Sequence, residues 1–135
     1  MRKLTENETV KILANYLKKN GWVITKLCLG RERGNDITAS KSNKTLVVEA
    51  KGAKPNDDTP GRKKEYFSSG QIKIHHGEAI VKILEEKYKN PAYQFAIAHP
   101  DDEDIRKSIG HLIPFLKKLD IKHYWVSKNG SVTEG

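Results

Sequence analysis

The sequence predicts an α/β fold in which helices flank a central mixed sheet. Segments with apolar residues at helical spacing alternate with short segments rich in β-branched residues. Their order is helix, three strands, helix, strand, helix, strand. The last two strands should therefore lie parallel across their helical connection. A length of 135 residues fits one domain, spanning 1–135.

The first half of the chain predicts a helix and then a three-stranded meander. The helix covers 5–20, where Val10, Leu13 and Leu17 recur at helical spacing and Gly21 follows as a stop signal. Strands are expected in three short segments that are apolar and β-branched, with a polar turn between the second and third. The strand segments are 22–29, 36–39 and 45–50, and the turn is 40–44.

The second half begins with a predicted loop over 52–70, which lacks an apolar period and is long enough to suggest a functional role. A helix is expected over 71–89, and a second one over 101–119 that is interrupted or bent near Gly110 and Pro114. The first of these helices has one broad apolar side, formed by Ile72, Ile80, Ile83, Leu84 and Tyr88. The remaining strands are 93–98 and 121–127, and 128–131 is a turn into the tail.

The charge of the chain favours a polyanionic partner such as nucleic acid. Lys and Arg outnumber Asp and Glu by 25 to 17, which gives a net charge of +8. No apolar run approaches the roughly 20 residues that span a bilayer, and the polar first residues are unlike a secretory signal. The single cysteine, Cys28, excludes an internal disulfide, so we expect an intracellular, cytoplasmic location.

The segment from Gly34 to Lys51 carries the most specific chemistry. Asp36 opens one predicted strand, and Glu49 and Lys51 close the next. Because residues i and i+2 of a strand point to the same side, Glu49 and Lys51 should share a face. Two carboxylates, a strand carbonyl and waters suit Mg²⁺ or Mn²⁺. Such an ion would polarise a phosphodiester, while Lys51 would orient the attacking water or neutralise developing charge.

A purely structural explanation of these residues is also open. Glu49 and Lys51 would then form a surface ion pair, and Asp36 would cap a turn. Against this, the apolar residues 46–48 indicate a buried strand, and charges at the end of a buried strand are costly without a function. The metal-site interpretation is therefore preferred.

Asp36 and the Glu49-Ala50-Lys51 tripeptide resemble the core motif of the PD-(D/E)xK, or restriction-endonuclease-like, nuclease superfamily. The predicted element order over 5–98 is similar to that family's core, and Asn35 replaces the proline of its nominal motif. Size and shape also resemble archaeal Holliday junction resolvases and Mrr-like endonuclease domains. The resemblance implies a metal-dependent endodeoxyribonuclease that binds Mg²⁺, with Mn²⁺ able to substitute, through Asp36 and Glu49.

The family often adds a glutamate from the first helix, and Glu6 or Glu8 would supply it here. Glu6 lies on the same helical stripe as Val10 and Leu13, so its side chain should lean toward the sheet. Glu8 has another explanation, because it completes a capping box with Thr5. We therefore choose Glu6 as the third acidic ligand.

Several family members place a glutamine on the helix that follows the Glu-x-Lys strand, and Gln71 matches that position. It would bind a metal-bound water or a DNA phosphate, although an ordinary solvated helix face explains it equally well. Basic residues around the site are expected to grip the phosphate backbone. The nucleic-acid-binding set is Arg31, Arg33, Lys54, Arg62, Lys63, Lys64, Lys73 and His75.

Two other functions remain open from the sequence. One is a non-catalytic nucleic-acid-binding or assembly module on the same fold, and the other is an α/β protein whose partner is a protein. The sequence does not distinguish DNA from RNA. A nuclease of this size with one active site would cut both strands of a duplex most easily as a homodimer.

Overall fold

The computed structural model describes residues 3–56 and 66–135, which form a six-stranded mixed sheet with helices on both faces. The strands are β1 (Val23–Leu27), β2 (Ile37–Lys41), β3 (Lys44–Ala50), β4 (Gln94–Pro100), β5 (Ile121–Val126) and β6 (Val132–Glu134). The helices are α1 (Glu6–Lys19), α2 (Ser69–Lys89), α3 (Glu103–Ile109) and α4 (Ile113–Lys118). The predicted fold class is confirmed.

The strands lie side by side in chain order. The meander β1–β2–β3 is antiparallel, β3–β4 and β4–β5 are parallel, and β5–β6 is antiparallel. The predicted parallel pairing of β4 and β5 is confirmed. No helix within 3–56 and 66–135 is long and apolar enough to cross a membrane.

Helix α1 begins at a capping box. The Thr5 hydroxyl accepts the backbone N–H of Glu8, and the Glu8 carboxylate accepts the N–H of Thr5. Val10, Leu13 and Leu17 are buried against one face of the sheet, as their spacing predicts. The N–H of Ala53 donates to the carbonyl of Leu4 at 2.8 Å, which holds the start of α1 beside the end of β3.

A two-residue turn joins β2 to β3. Its residues, Ser42 and Asn43, have φ angles of 47° and 67°, which match the type I′ turn that suits the twist of a hairpin. The register that follows pairs Ile37 with Val48. Asp36, one residue before β2, therefore lies opposite Glu49 on β3.

The two faces of the sheet build separate cores. Leu46, Val48 and Ala50 pack on the face covered by α1. Val47 packs on the other face, with residues of α2 and α3. Because side chains alternate along β3, Glu49 and Lys51 share the α2 face, as predicted.

The predicted apolar side of α2 is partly wrong. Leu84 is 40% exposed and Tyr88 is 88% exposed, whereas His76 and Ala79 are buried with Ile72 and Ile83. The helix lies on the sheet along the row 72, 76, 79, 83, and that row leaves 84 and 88 on the outer side. Apolar content alone did not indicate which of two apolar stripes would face the core.

The last part of the chain differs from its prediction at one strand. Helix 101–119 is interrupted, as expected, since a 3-10 turn over Gly110–Leu112 separates α3 from α4 and Pro114 stands at the start of α4. The tail after the turn at 128–131 forms strand β6, which the sequence did not predict. A three-residue edge strand is too short to show a period.

Three buried histidines lie together between α2, β4 and β5. His76, His99 and His123 are 2%, 1% and 0% exposed, and His99 Nδ1 lies 2.8 Å from His123 Nε2. Both ring nitrogens of His76 lack a hydrogen-bond partner among residues 3–56 and 66–135. Burial lowers the pKa of His76 to about 4 and that of His123 to about 3, so the rings are neutral at physiological pH.

This cluster predicts sensitivity to acid. The pKa of His76 in the folded protein lies below its value in the unfolded chain. As the pH falls from about 6.5 toward 4, the unfolded chain takes up a proton that the buried ring does not, so the free energy of unfolding decreases. In His76→Leu, the slope of unfolding free energy against pH between 6.5 and 4 should be smaller by up to about 1.4 kcal/mol per pH unit. Urea unfolding of both proteins over this range measures it, and parallel curves would contradict the prediction.

Candidate active site

The candidate site lies where the end of β3 meets the start of α1 and the middle of α2. Asp36 accepts the backbone N–H of Ala50 at 2.8 Å through its Oδ2. Its own carbonyl accepts the N–H of Cys28 at 3.0 Å, which ties the residue to the chain leaving β1. Asp36 is thus held by backbone groups at the tip of the meander.

Glu49 is buried, with 3% of its surface exposed. Lys82 of α2 brings its Nζ to 3.1 Å from Glu49 Oε1, and the same ammonium donates to the carbonyl of Gly34 at 3.1 Å. The contact with Glu49 is a charge contact, because no described residue gives Glu49 Oε1 a well-aligned hydrogen-bond donor. Lys82 therefore connects α2 with the two segments that carry the carboxylates.

Sequence reasoning did not assign Lys82 to the site. Lys82 lies on the polar stripe of α2 that also carries His75 and Glu78, which precede it by seven and four residues. This helical spacing is the feature of the sequence that could have identified Lys82. The sequence could not decide whether that stripe faced solvent or the site. The packing of α2 against β3 decides it.

The two strand carboxylates repel each other in a site of low solvent access. Burial raises the pKa of Glu49 to about 7, and the charge of Asp36 adds to the rise against the opposing pull of Lys82 and Lys51. Burial likewise raises the pKa of Asp36 to about 6, helped by the charge of Glu6. Near pH 7 a substantial fraction of Glu49 is therefore protonated.

Glu6 belongs to the same cluster. Burial raises the pKa of Glu6, and the charge of Lys51 lowers it while that of Glu49 raises it further. Gly52 permits this placement, because a Cβ at that position would come within 2.8 Å of the backbone carbon of Thr5 and would also collide with Glu6. No local pattern singles out Gly52, since the close approach exists only in the folded chain.

A cleft of about 320 Å³ opens beside this cluster. Lys51, Glu6 and Lys54 line it, together with His75 and Glu78 of α2. Burial lowers the pKa of His75, and the positive charge of Lys51 lowers it further. A neutral imidazole and an ammonium therefore stand together at the wall of the cleft.

The other predicted residues are spread around the site. Gln71 uses its side-chain oxygen to accept the N–H of Ser68 at 2.9 Å, which completes the N-terminal cap of α2. Arg31 and Arg33 are exposed between β1 and β2, and Lys73 is exposed on α2. Arg62, Lys63 and Lys64 lie outside the described residues. Binding roles for Gln71 and the basic residues remain predictions.

The residues present fit an oxygen-seeking divalent cation through two carboxylates. Among the described residues, Glu49 Oε1 and Asn35 Oδ1 are both buried without a hydrogen-bond partner, and the charge of Asp36 raises the pKa of Glu49. Over 3–56 and 66–135, no three Asp, Glu, His or Cys side chains are grouped closely enough to hold a metal ion. The part of Glu6 as third ligand therefore stays a prediction.

The fold is similar to that of two solved structures. One is an XisH family protein from Nostoc punctiforme PCC 73102, with a TM-score of 0.58, 15% identity, and coverage of 93% of this chain and 96% of that chain. The other is an fdxN element excision controlling factor protein from Anabaena variabilis, with a TM-score of 0.56, 16% identity, and coverage of 93% and 95%. No family model and no curated protein matches the chain. At this identity the likeness establishes a shared fold.

The carboxylate pair predicts a stability gain on neutralisation. The pKa of Asp36 in the folded protein is raised to about 6. The free energy of unfolding therefore decreases as the pH rises through that value, because Asp36 must then ionise in a buried site. Asp36→Asn keeps an oxygen for the Ala50 N–H and should raise the unfolding free energy by about 1–2 kcal/mol at pH 8 in EDTA. The gain should vanish at pH 4, where the carboxyl is protonated.

Urea unfolding at the two pH values checks this prediction, with Glu103→Gln as the control. The Glu103 side chain is 83% exposed and lies 3.7 Å from Lys107, so its neutralisation should change stability little. An Asp36→Asn protein that is less stable than wild type at pH 8 would argue against carboxylate repulsion.

Proposed function

We propose that this chain is a metal-dependent endodeoxyribonuclease that hydrolyses phosphodiester bonds of DNA, of the PD-(D/E)xK type. One observation carries the proposal: Asp36 and Glu49 occupy opposed positions on neighbouring segments of the sheet, with Lys51 on the same face of β3. The name of one structural neighbour, an element excision controlling factor, is in keeping with action on DNA. The net charge of +8 also suits a polyanionic substrate.

In this proposal Asp36 and Glu49 hold Mg²⁺, with Glu6 assisting and Mn²⁺ able to substitute. The bound ion would polarise the phosphodiester and lower the pKa of a coordinated water. Lys51 orients the attacking water or neutralises charge on the phosphoryl oxygens. Lys82 compensates the charge of Glu49 in the metal-free protein, which lowers the cost of burying that carboxylate.

The surrounding basic residues supply the grip on the substrate. Lys54 and His75 line the cleft and would contact phosphates next to the reacting bond. Gln71 would add a hydrogen bond from the start of α2, and outer contacts would come from the remaining basic residues. Those residues are Arg31, Arg33, Lys73, Arg62, Lys63 and Lys64.

A second candidate function is a non-catalytic nucleic-acid-binding or assembly module on the same fold. The contact between Lys82 and Glu49 favours it, because an ammonium 3.1 Å from a carboxylate oxygen takes part of the place of a cation. The two candidates share the basic surface and differ in whether a divalent ion binds. Cleavage and metal binding therefore separate them.

Cleavage of DNA is the first test of the nuclease. We expect the protein to nick or cut plasmid or branched DNA with Mg²⁺ or Mn²⁺ and to leave both intact in EDTA. Asp36→Asn and Lys51→Met should each reduce the rate by at least about a hundredfold, because each removes part of the reaction centre. Gel assays of initial rates measure this.

Lys44→Met is the matched control, since Lys44 starts the same strand at its exposed end and should leave the rate nearly unchanged. DNA binding in EDTA, measured by fluorescence anisotropy, should survive Asp36→Asn. Binding by wild type without metal-dependent cleavage of either substrate would favour the non-catalytic module.

Metal affinity should depend on pH. A carboxylate binds a cation only when it is deprotonated, and the pKa values of Glu49 and Asp36 are about 7 and about 6. Mn²⁺ should therefore bind at least about tenfold more tightly at pH 8 than at pH 6. Electron paramagnetic resonance of free Mn²⁺ gives both constants, and Glu49→Gln should abolish binding whereas Glu103→Gln should not.

A further inference from the structure

Helix α2 carries a second apolar stripe on its outer face. Ile74 is 64% exposed, Val81 58%, Leu84 40% and Tyr88 88%, while the opposite face of the same helix is buried. With Gly77 these residues are spaced by three, four, three and four positions, which is the a/d pattern of a helix that packs against another helix. We call the set of Ile74, Gly77, Val81, Leu84 and Tyr88 the outer stripe.

Gly77 is the second observation that points to a helical partner. It lies inside a 21-residue helix, where glycine is destabilising relative to alanine. A Cβ built at Gly77 would meet no atom of residues 3–56 and 66–135 within 4 Å, so packing among these residues gives no reason for glycine there. A missing side chain in the middle of an apolar stripe allows the backbone of another helix to approach closely.

The flanks of the outer stripe have opposite charge. Lys73 and Lys87 lie along one side, and Glu78 and Glu85 lie along the other. When two copies of such a helix run parallel, the basic flank of each meets the acidic flank of the other, and Lys73 opposes Glu78 of the second copy. An antiparallel pair would bring like charges together. A helix that carries both complementary flanks is suited to pairing with itself.

We propose that α2 packs in parallel against α2 of a second copy of this chain, which forms a two-fold symmetric homodimer through the outer stripe. The helix is about 31 Å long, which gives the stripe room for a long helical partner. Glu78 also lines the cleft beside the candidate site, so the two-fold axis places the two clefts level with each other along the paired helices and on opposite flanks of the interface. The inference is independent of the proposed nuclease, since it requires neither metal nor DNA.

Sedimentation equilibrium of the full chain in EDTA, without DNA, tests the dimer. Wild type should be dimeric with a Kd below about 10 µM, and Val81→Asp should weaken the dimer by at least about a hundredfold. Val23→Asp is the matched control, because Val23 is also an exposed valine, 63% exposed on β1. A wild type that stays monomeric at about 100 µM, or equal effects of both variants, would overturn the proposal.

Gly77→Ala separates packing between copies from stability within one copy. The added methyl should raise the Tm measured at low protein concentration, because alanine favours helix. It should also weaken the dimer by at least about tenfold, because it separates the two backbones. A Gly77→Ala protein that dimerises as tightly as wild type would show that the two helices do not approach closely at Gly77, and would overturn this part of the proposal.

Charge reversal tests the parallel orientation. Lys73→Glu and Glu78→Lys should each weaken the dimer, because each places like charges opposite one another across the interface. The double variant restores opposite charges and should recover most of the wild-type affinity. Single variants that leave the Kd unchanged, or a double variant weaker than both, would overturn the parallel pairing.

Discussion

The register of the β2–β3 hairpin is the constraint on which the candidate site depends. Ser42 and Asn43 form a two-residue connection, and that connection sets Ile37 opposite Val48. Two carboxylates then meet at the open end of the hairpin. A slip of one residue would turn one of them to the opposite face of the sheet and leave no pair.

Two helices complete the site from opposite sides of the sheet. The start of α1 places Glu6 against the end of β3, and this approach requires Gly52. Helix α2 brings Lys82 to Glu49 and lines the cleft with His75. The result is a group of charges whose carboxylates have raised pKa values because they are buried together. Such a group costs folding stability, which is typical of sites selected for binding or chemistry.

The meander, the order of elements and the shared face of Glu49 and Lys51 could be predicted because they depend on local patterns. Apolar spacing, β-branched runs and strand alternation act over a few residues. The core side of α2 was partly wrong because that helix has two apolar stripes, and only contact with the sheet selects one. Lys82 was missed for the same reason, since a polar stripe looks solvated until the neighbouring strand is known.

Local patterns in the chain are sufficient to predict the α/β class, the capped start of α1 and the pairing of an aspartate with a Glu-x-Lys strand, because each depends on residues close together in the sequence. The tertiary structure alone decided which charges meet. Lys82 and Glu49 are 33 positions apart in the chain, and Glu6 and Gly52 are 46 positions apart. His76 packs in its buried cluster against His99, 23 positions away. Contacts over such separations depend on how helices lie on the sheet, and no local pattern encodes that.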